Sequence, residues 1–193
     1  YPVRLGAGVF DACASGGGRI APRAAARAVA AMRDMRLRMD RRGVRRYRAV
    51  ATSAMREAQN GPVLAARIAR ESGIRLEIIP PEEEARLVTD AALAAVGGRR
   101  DVRLVLDLGG GSLELSFVRR RLRRGGVSLP VGTVRFLSWL RAGRIRGRAQ
   151  EETIRRRVLE VFERHVGVPP GFPGGMIVAC RGTAEALARL APG

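Results

Sequence analysis

The sequence predicts an α/β protein in which two successive strand–helix series each form a mixed sheet. The first observation is that short apolar strands alternate with segments whose apolar residues recur at helical spacing. The second is the tetrapeptide Gly97-Gly98-Arg99-Arg100, whose turn residues and charges separate the two series. We therefore predict two domains, residues 1–98 and residues 99–193.

The first series is predicted to run helix, strand, helical segment, strand, helix. These elements span residues 21–42, 47–52, 53–73, 74–79 and 82–97. Pro22 lies in the first turn of the first helix, and Gly43 follows its end. Asn60-Gly61-Pro62 interrupts the second helical segment, which is therefore one helix or two. The last helix begins after Pro80-Pro81.

The second series is predicted to begin with three strands. Its elements are strands at 103–107, 113–118 and 126–129, helices at 133–140 and 151–166, a strand at 176–179 and a closing helix from Thr183. The first two strands flank a glycine loop. The arginine-rich stretch 119–125 is predicted to be the turn before the third strand, and a solvated hairpin tip explains its charge.

The composition restricts the partners of the chain. The 193 residues carry a formal net charge of +18, and all the basic residues are arginine. Such a charge favours a polyanionic partner. The sequence disfavours nucleic acid as this partner, because aromatic residues make up only 4% and do not interleave with the basic runs. A small or linear phosphate polyanion fits better.

Neither targeting patterns nor cysteine spacing in the sequence indicates a further function. No apolar stretch approaches the ~20 residues of a membrane span, and Tyr1–Phe10 lacks the pattern of a secretory signal. We therefore expect no membrane partner and a cytoplasmic location. Cys13 and Cys180 fit neither a disulfide framework nor a metal-ligand pattern, and we expect both to be reduced.

The segment "LVLDLGGGSLEL" (104–115) joins a buried strand to an acid, three glycines and a serine. Glycines between two strands let backbone N–H groups converge on an anion, and Asp107 at the strand end can hold a divalent cation. Ser112 adds a hydroxyl donor. The alternative is a tight glycine-rich hairpin without a ligand, and the glycine run alone does not decide between the two.

Two further segments have chemical and structural interpretations. "PPEEEARL" places Glu82, Glu83 and Glu84 in the first turn of a helix, where acids are favoured by the helix dipole without any catalytic reason. Three adjacent acids also disfavour each other's ionisation, so one of them could act as a general base. In "ATSAMREAQN", the hydroxyls at 52–53 and Arg56 either serve the helix end or face phosphate.

Together, these segments resemble a known family. "ATSAMREAQN", "EIIPPEEEARL", "LVLDLGGGSLEL", "SLPVGTVRF" and "ACRGTAEAL" occur in the order and at the approximate spacing of the Ppx/GppA phosphatase family of exopolyphosphatases and guanosine pentaphosphate phosphohydrolases. The resemblance implies the actin-like, sugar-kinase-like ATPase fold, with two ribonuclease-H-like lobes and an active site between them. The family's D-x-G-S-N-S loop has no counterpart here, so the first lobe is expected to be N-terminally truncated.

The resemblance also implies a role for each matched position. Glu84 would be the base that activates water, and Arg56 would bind phosphate. Asp107 would bind Mg²⁺, and Glu114 would contribute to the metal or water network. The phosphate-binding residues would be Gly109, Gly110, Gly111, Ser112, Gly182 and Thr183.

The function implied is Mg²⁺-dependent hydrolysis of the terminal phosphoanhydride of polyphosphate or guanosine pentaphosphate. The alternative is a non-catalytic polyphosphate- or nucleotide-binding domain. Departures from the family pattern at Pro80, Pro81 and Arg181 bear on this choice. The resemblance also implies a possible homodimer.

Overall fold

The computed structural model describes residues 1–10, 18–97, 101–144, 146–166 and 175–180. The chain divides into two compact units, Tyr1–Pro80 and a second that begins at Pro81. The division precedes the domain boundary predicted at 98–99, because the helix that follows Pro80 packs with the second unit. The assignment of residues 1–98 to one lobe stays a prediction.

The described residues of the first unit form three helices and two short strands. In chain order they are α1 (Pro22–Arg41), β1 (Ala49–Ala51), α2 (Ser53–Glu57), α3 (Gly61–Ser72) and β2 (Leu76–Ile78). Strands β1 and β2 are parallel, and Val50 is the register partner of Glu77. The predicted interruption separates α2 from α3, with Pro62 in the first turn of α3 and Gly73 ending it at a φ of 71°. Both strands are shorter than predicted.

Helix α1 packs against α3 in the first unit. The buried side chains are mainly small or aliphatic, and they include Ala24, Ala28, Leu64 and Ile68. At the edge of this contact, Glu71 of α3 forms salt bridges with Arg33 of α1 and with Arg67 one turn earlier.

In the part of the second unit that the structure describes, there are a four-stranded mixed sheet and three helices. Its elements are α4 (Pro81–Ala95), β3 (Val102–Leu108), β4 (Leu113–Arg119), β5 (Leu122–Leu129), α5 (Thr133–Ala142), α6 (Ala149–His165) and β6 (Met176–Cys180). The strand order is β5-β4-β3-β6. The β3–β4 and β4–β5 pairs are antiparallel, whereas β3 and β6 are parallel.

Helices cover both faces of this sheet. Val105 and Val118 pack with Ala92 and Leu93 of α4 on one face. Leu115 packs on the other face with partly buried side chains of α5 and α6. Neighbouring residues of a strand point to opposite faces, so β3 and β4 contribute side chains to both helix-covered faces. The predicted mixed α/β architecture is confirmed in this unit.

The turn in the arginine-rich stretch is shorter than predicted. Only Arg120 and Arg121 turn the chain, at φ values of 51° and 60°, and β5 begins at Leu122 rather than at Gly126. The guanidinium of Arg121 donates to the carbonyls of Gly97 (2.6 Å) and Leu93 (2.8 Å) at the end of α4. Strand β5 is at the edge of the sheet, where charged residues are tolerated.

The predicted closing helix from Thr183 lies outside the described residues. Within the part of the chain that the structure describes, every helix is too short or too polar to span a bilayer.

Candidate metal and phosphate site

Three buried carboxylates converge in the second unit. One oxygen each from Glu84, Asp107 and Glu114 lies within 4.8 Å of the other two. The three residues are 4%, 1% and 2% exposed, respectively. Buried like charges at this separation repel one another strongly unless a cation or protons neutralise them.

The local fold explains why these acids meet. Asp107 is the penultimate residue of β3, and Glu114 is the second residue of β4. The glycine loop joins the two strands as a hairpin, so Asp107 and Glu114 are register partners. Glu84 lies in the first turn of α4, which packs on the same sheet.

Among the three acids, the surroundings of Glu114 indicate most clearly what the cluster could bind. Burial, the largest effect, raises the pKa of its carboxyl, and the charges of Glu84 and Asp107 raise it further. Hydrogen bonds from Ser112 and Ser128 oppose that rise in pKa, and Ser128 Oγ donates to Oε1 over 3.1 Å. Oε2 is buried, and no hydrogen-bond donor among the described residues reaches it.

These residues fit a divalent cation. Carboxylate oxygens are the ligands that hard dications such as Mg²⁺ and Ca²⁺ prefer. A dication between the three acids would offset their repulsion and give the buried Oε2 of Glu114 a partner. The cluster could therefore bind a metal, and the assignment of Asp107 and Glu114 as its ligands stays a prediction.

The glycine loop is anchored to the first turn of α5. The backbone N–H of Thr133 donates to Gly109 O (3.1 Å), and that of Val134 donates to Gly110 O (2.8 Å). Arg135 donates twice, from its backbone N–H to Gly110 O (3.1 Å) and from Nε to Gly111 O (2.8 Å). All three glycine carbonyls therefore face α5.

This anchoring determines where the loop's N–H groups point. In a trans peptide, the N–H points opposite to the preceding C=O. The N–H groups of Gly110, Gly111 and Ser112 therefore point away from α5. Within the described residues, none of the hydrogen bonds involves the N–H of Gly110 or Gly111 as donor. Successive N–H groups with a common direction form an anion-binding concavity.

Glycine at 132 makes the close approach of α5 possible. A Cβ at this position would lie 2.4 Å from the carbonyl oxygen of Gly110 and 2.6 Å from the amide nitrogen of Gly111. Any side chain would push the loop away from the helix. The hairpin interpretation and the anion-binding interpretation of the loop are thus compatible, because the tight geometry also directs the N–H groups.

Of the remaining predicted site residues, the structure describes only Arg56, which belongs to the first unit. Arg56, in α2 of the first unit, donates from Nη1 to Ile79 O over 2.7 Å. Thr52 precedes that helix but forms no side-chain capping bond. Gly182 and Thr183 lie outside the described residues. The roles of Arg56, Gly182 and Thr183 stay predictions.

Five residues of "SLPVGTVRF" contact the site but were assigned no role from the sequence. They are Ser128, Gly132, Thr133, Val134 and Arg135. The segment was recognised as a motif, but its contacts reach residues 14 to 24 positions away, and no local pattern reveals such pairs.

The model of the Ppx/GppA phosphatase family matches residues 2–190. The chain belongs to this family. Exopolyphosphatase 1 of Mycobacterium leprae is 35% identical over 124 residues, which cover 64% of this chain and 37% of that protein. The guanosine-5'-triphosphate,3'-diphosphate pyrophosphatase of Photobacterium profundum is 34% identical over 92 residues, or 48% of this chain and 18% of that protein.

The fold is also shared with solved members of the Ppx/GppA family. The crystal structure of an exopolyphosphatase from Cytophaga hutchinsonii superposes with a TM-score of 0.81 at 26% identity, covering 97% of this chain and 59% of that one. The predicted actin-like ATPase fold is thereby confirmed. The chain spans less than half the length of these curated relatives.

Proposed function

We propose that this Ppx/GppA family member hydrolyses the terminal phosphoanhydride of polyphosphate or guanosine pentaphosphate, with Mg²⁺ as its metal. The observation that supports this proposal most directly is that one hairpin carries both buried carboxylates and a loop of backbone N–H groups. Its strands provide the buried acids Asp107 and Glu114, and its loop directs N–H groups toward a common side. Phosphoryl transfer needs charge neutralisation and positioning of the phosphate.

The three acids would have different roles. Asp107 and Glu114 would hold Mg²⁺, which neutralises phosphate charge and acts as a Lewis acid when bound. Glu84 would accept a proton from the attacking water. The water oxygen bonds to the terminal phosphorus as the bridging P–O bond breaks, which releases orthophosphate and a shortened chain.

The glycine loop would bind the phosphate being removed. The N–H groups of Gly110, Gly111 and Ser112 would donate to its oxygens. The phosphate-binding roles of Arg56, Gly182 and Thr183 stay predictions from the sequence. The net charge of +18 would raise the rate at which a polyanion reaches the site. This effect weakens as salt is added.

The substrate class is supported by the relatives, one named an exopolyphosphatase and another a guanosine-5'-triphosphate,3'-diphosphate pyrophosphatase. Homodimerisation and a cytoplasmic location stay predictions from the sequence.

The test is phosphate release by the purified protein from long-chain polyphosphate and from guanosine pentaphosphate, each with Mg²⁺ and with EDTA. We expect Mg²⁺-dependent orthophosphate release from at least one substrate. Release that persists in EDTA would contradict the metal role. Mg²⁺-dependent polyphosphate binding without any release would favour the alternative, a polyphosphate-binding domain that lacks turnover.

A further inference from the structure

Arg135 is buried, although it carries a charge. It lies in the first turn of α5 and is 5% exposed. Its backbone N–H donates to Gly110 O, and its side-chain Nε donates to Gly111 O. One residue thus holds two consecutive carbonyls of the glycine loop.

The side-chain bond differs from the other anchoring bonds. Thr133 and Val134 hold the loop through backbone N–H groups, which nearly every residue type provides. The carbonyl of Gly111 is held by the guanidinium of Arg135 instead. Three consecutive glycines have more conformational freedom than any other tripeptide, so the last peptide of the loop depends on this donor for its orientation.

The peptide between Gly111 and Ser112 links the loop to the acidic cluster. Rotation of this peptide would turn the N–H of Ser112 and move its side chain. Ser112 is near enough to Glu114 to lower the pKa of its carboxyl, and that carboxylate lies beside those of Glu84 and Asp107. A chain of contacts therefore runs from Arg135 through Gly111 and Ser112 to the carboxylates.

We infer that Arg135 is a positioning residue: its guanidinium fixes the Gly111–Ser112 peptide so that the loop amides and Glu114 are set for the phosphate and the metal. The inference rests on the proposed function for its effect on turnover. It does not require Arg135 to touch the substrate.

The test compares Arg135→Met, which keeps an unbranched side chain without a donor, with Arg135→Lys, which keeps a charge and a donor. We expect Arg135→Met to lower kcat/KM roughly 10- to 100-fold, because small displacements of positioning groups cost about this much. Arg135→Lys should recover part of that loss.

Arg121→Met is the matched control, because Arg121 also donates to backbone carbonyls but at the end of α4, away from the glycine loop. We expect this variant to lower Tm and to leave kcat/KM of the folded protein unchanged. A purely structural role for Arg135 would instead give both arginine variants lower Tm with unchanged kcat/KM, which would overturn the inference.

A second readout does not depend on turnover. In wild type, tripolyphosphate with Mg²⁺ should shift the amide resonances of Gly110, Gly111 and Ser112, and in Arg135→Lys the Ser112 shift should shrink most. Equal shifts in the two proteins would overturn the positioning role. Absence of phosphate release by wild type would contradict the proposed function alone. If Arg135→Met does not fold, the comparison of Arg135→Lys with its control Arg121→Lys decides the question.

Discussion

Asp107 and Glu114 are directly opposite each other on the antiparallel strands β3 and β4, and both side chains are almost fully buried. Like charges in opposing positions destabilise a strand pair. The sheet therefore tolerates this pair at a cost, which a bound dication would offset. We therefore expect a metal bound at this pair to stabilise the protein.

The first prediction is that Mg²⁺ raises Tm and that Asp107→Asn removes this response. A ligand that binds only the folded state at 100 times its Kd stabilises it by roughly 2.7 kcal/mol. Without metal, Asp107→Asn should be at least as stable as wild type, because one of the repelling charges is gone. Calorimetry with Mg²⁺ and with EDTA measures both effects.

The control for this experiment is Asp90→Asn, because Asp90 is exposed on α4 and pairs with Arg86 outside the cluster. It should keep the full Mg²⁺ response. An Asp107→Asn protein that still gains as much Tm from Mg²⁺ as wild type would contradict the metal assignment.

The second prediction concerns the contact between α5 and the glycine loop. Gly132→Ala would place a Cβ 2.4 Å from Gly110 O, so the loop or the helix must move. We expect a loss of roughly 1–3 kcal/mol in the free energy of unfolding. Urea denaturation measures it, with phosphate binding followed on the same samples.

Gly125→Ala is the matched control, since a Cβ at position 125 would meet no atom within 4 Å. It should change the free energy of unfolding far less than Gly132→Ala. Equal stability of the two variants would show that α5 does not press on the loop.

The third prediction is a pH dependence in the first unit. Hydrogen bonding to Arg67 lowers the pKa of Glu71 below its ordinary value of 4.5, and the charges of Arg67 and Arg33 contribute. A lowered pKa means that the ionised form stabilises the fold. This contribution is present above pH 4.5 and is lost as the pH falls through the pKa of the folded state.

Tm measurements on wild type and Glu71→Gln from pH 3 to pH 7 test this dependence. Wild type should melt at the higher temperature near pH 7, and the difference should shrink below pH 4.5. High salt should also reduce it, because the pair is near the surface. A Tm difference that stays constant across the pH range would show that Glu71 stabilises the fold through packing and not through its charge.

Much of the fold was predictable because local signals determine it. Pro22, Pro62 and Gly73 mark helix ends, and the apolar strands around the glycine loop mark a hairpin. The start of β5 was missed, because arginines rarely signal a strand and only the pairing with β4 reveals one here. The compact units divide at Pro80, since α4 packs on the sheet of the second unit.

The acidic site was predictable only in part. Glu84, Asp107 and Glu114 were chosen from motifs, and the structure brings these three together. The support from Ser128 and Arg135 was not predictable, because it depends on contacts between β4 and β5 and between the loop and α5.

The most direct measurement compares Glu84→Gln with the exposed neighbour variant Glu82→Gln, recording polyphosphate affinity and kcat on the same preparations with Mg²⁺. If Glu84 is the general base, Glu84→Gln lowers kcat by roughly 10²- to 10⁴-fold while affinity changes little, and Glu82→Gln resembles wild type. Wild-type kcat in Glu84→Gln, or an equal loss in both variants, would contradict the proposed site.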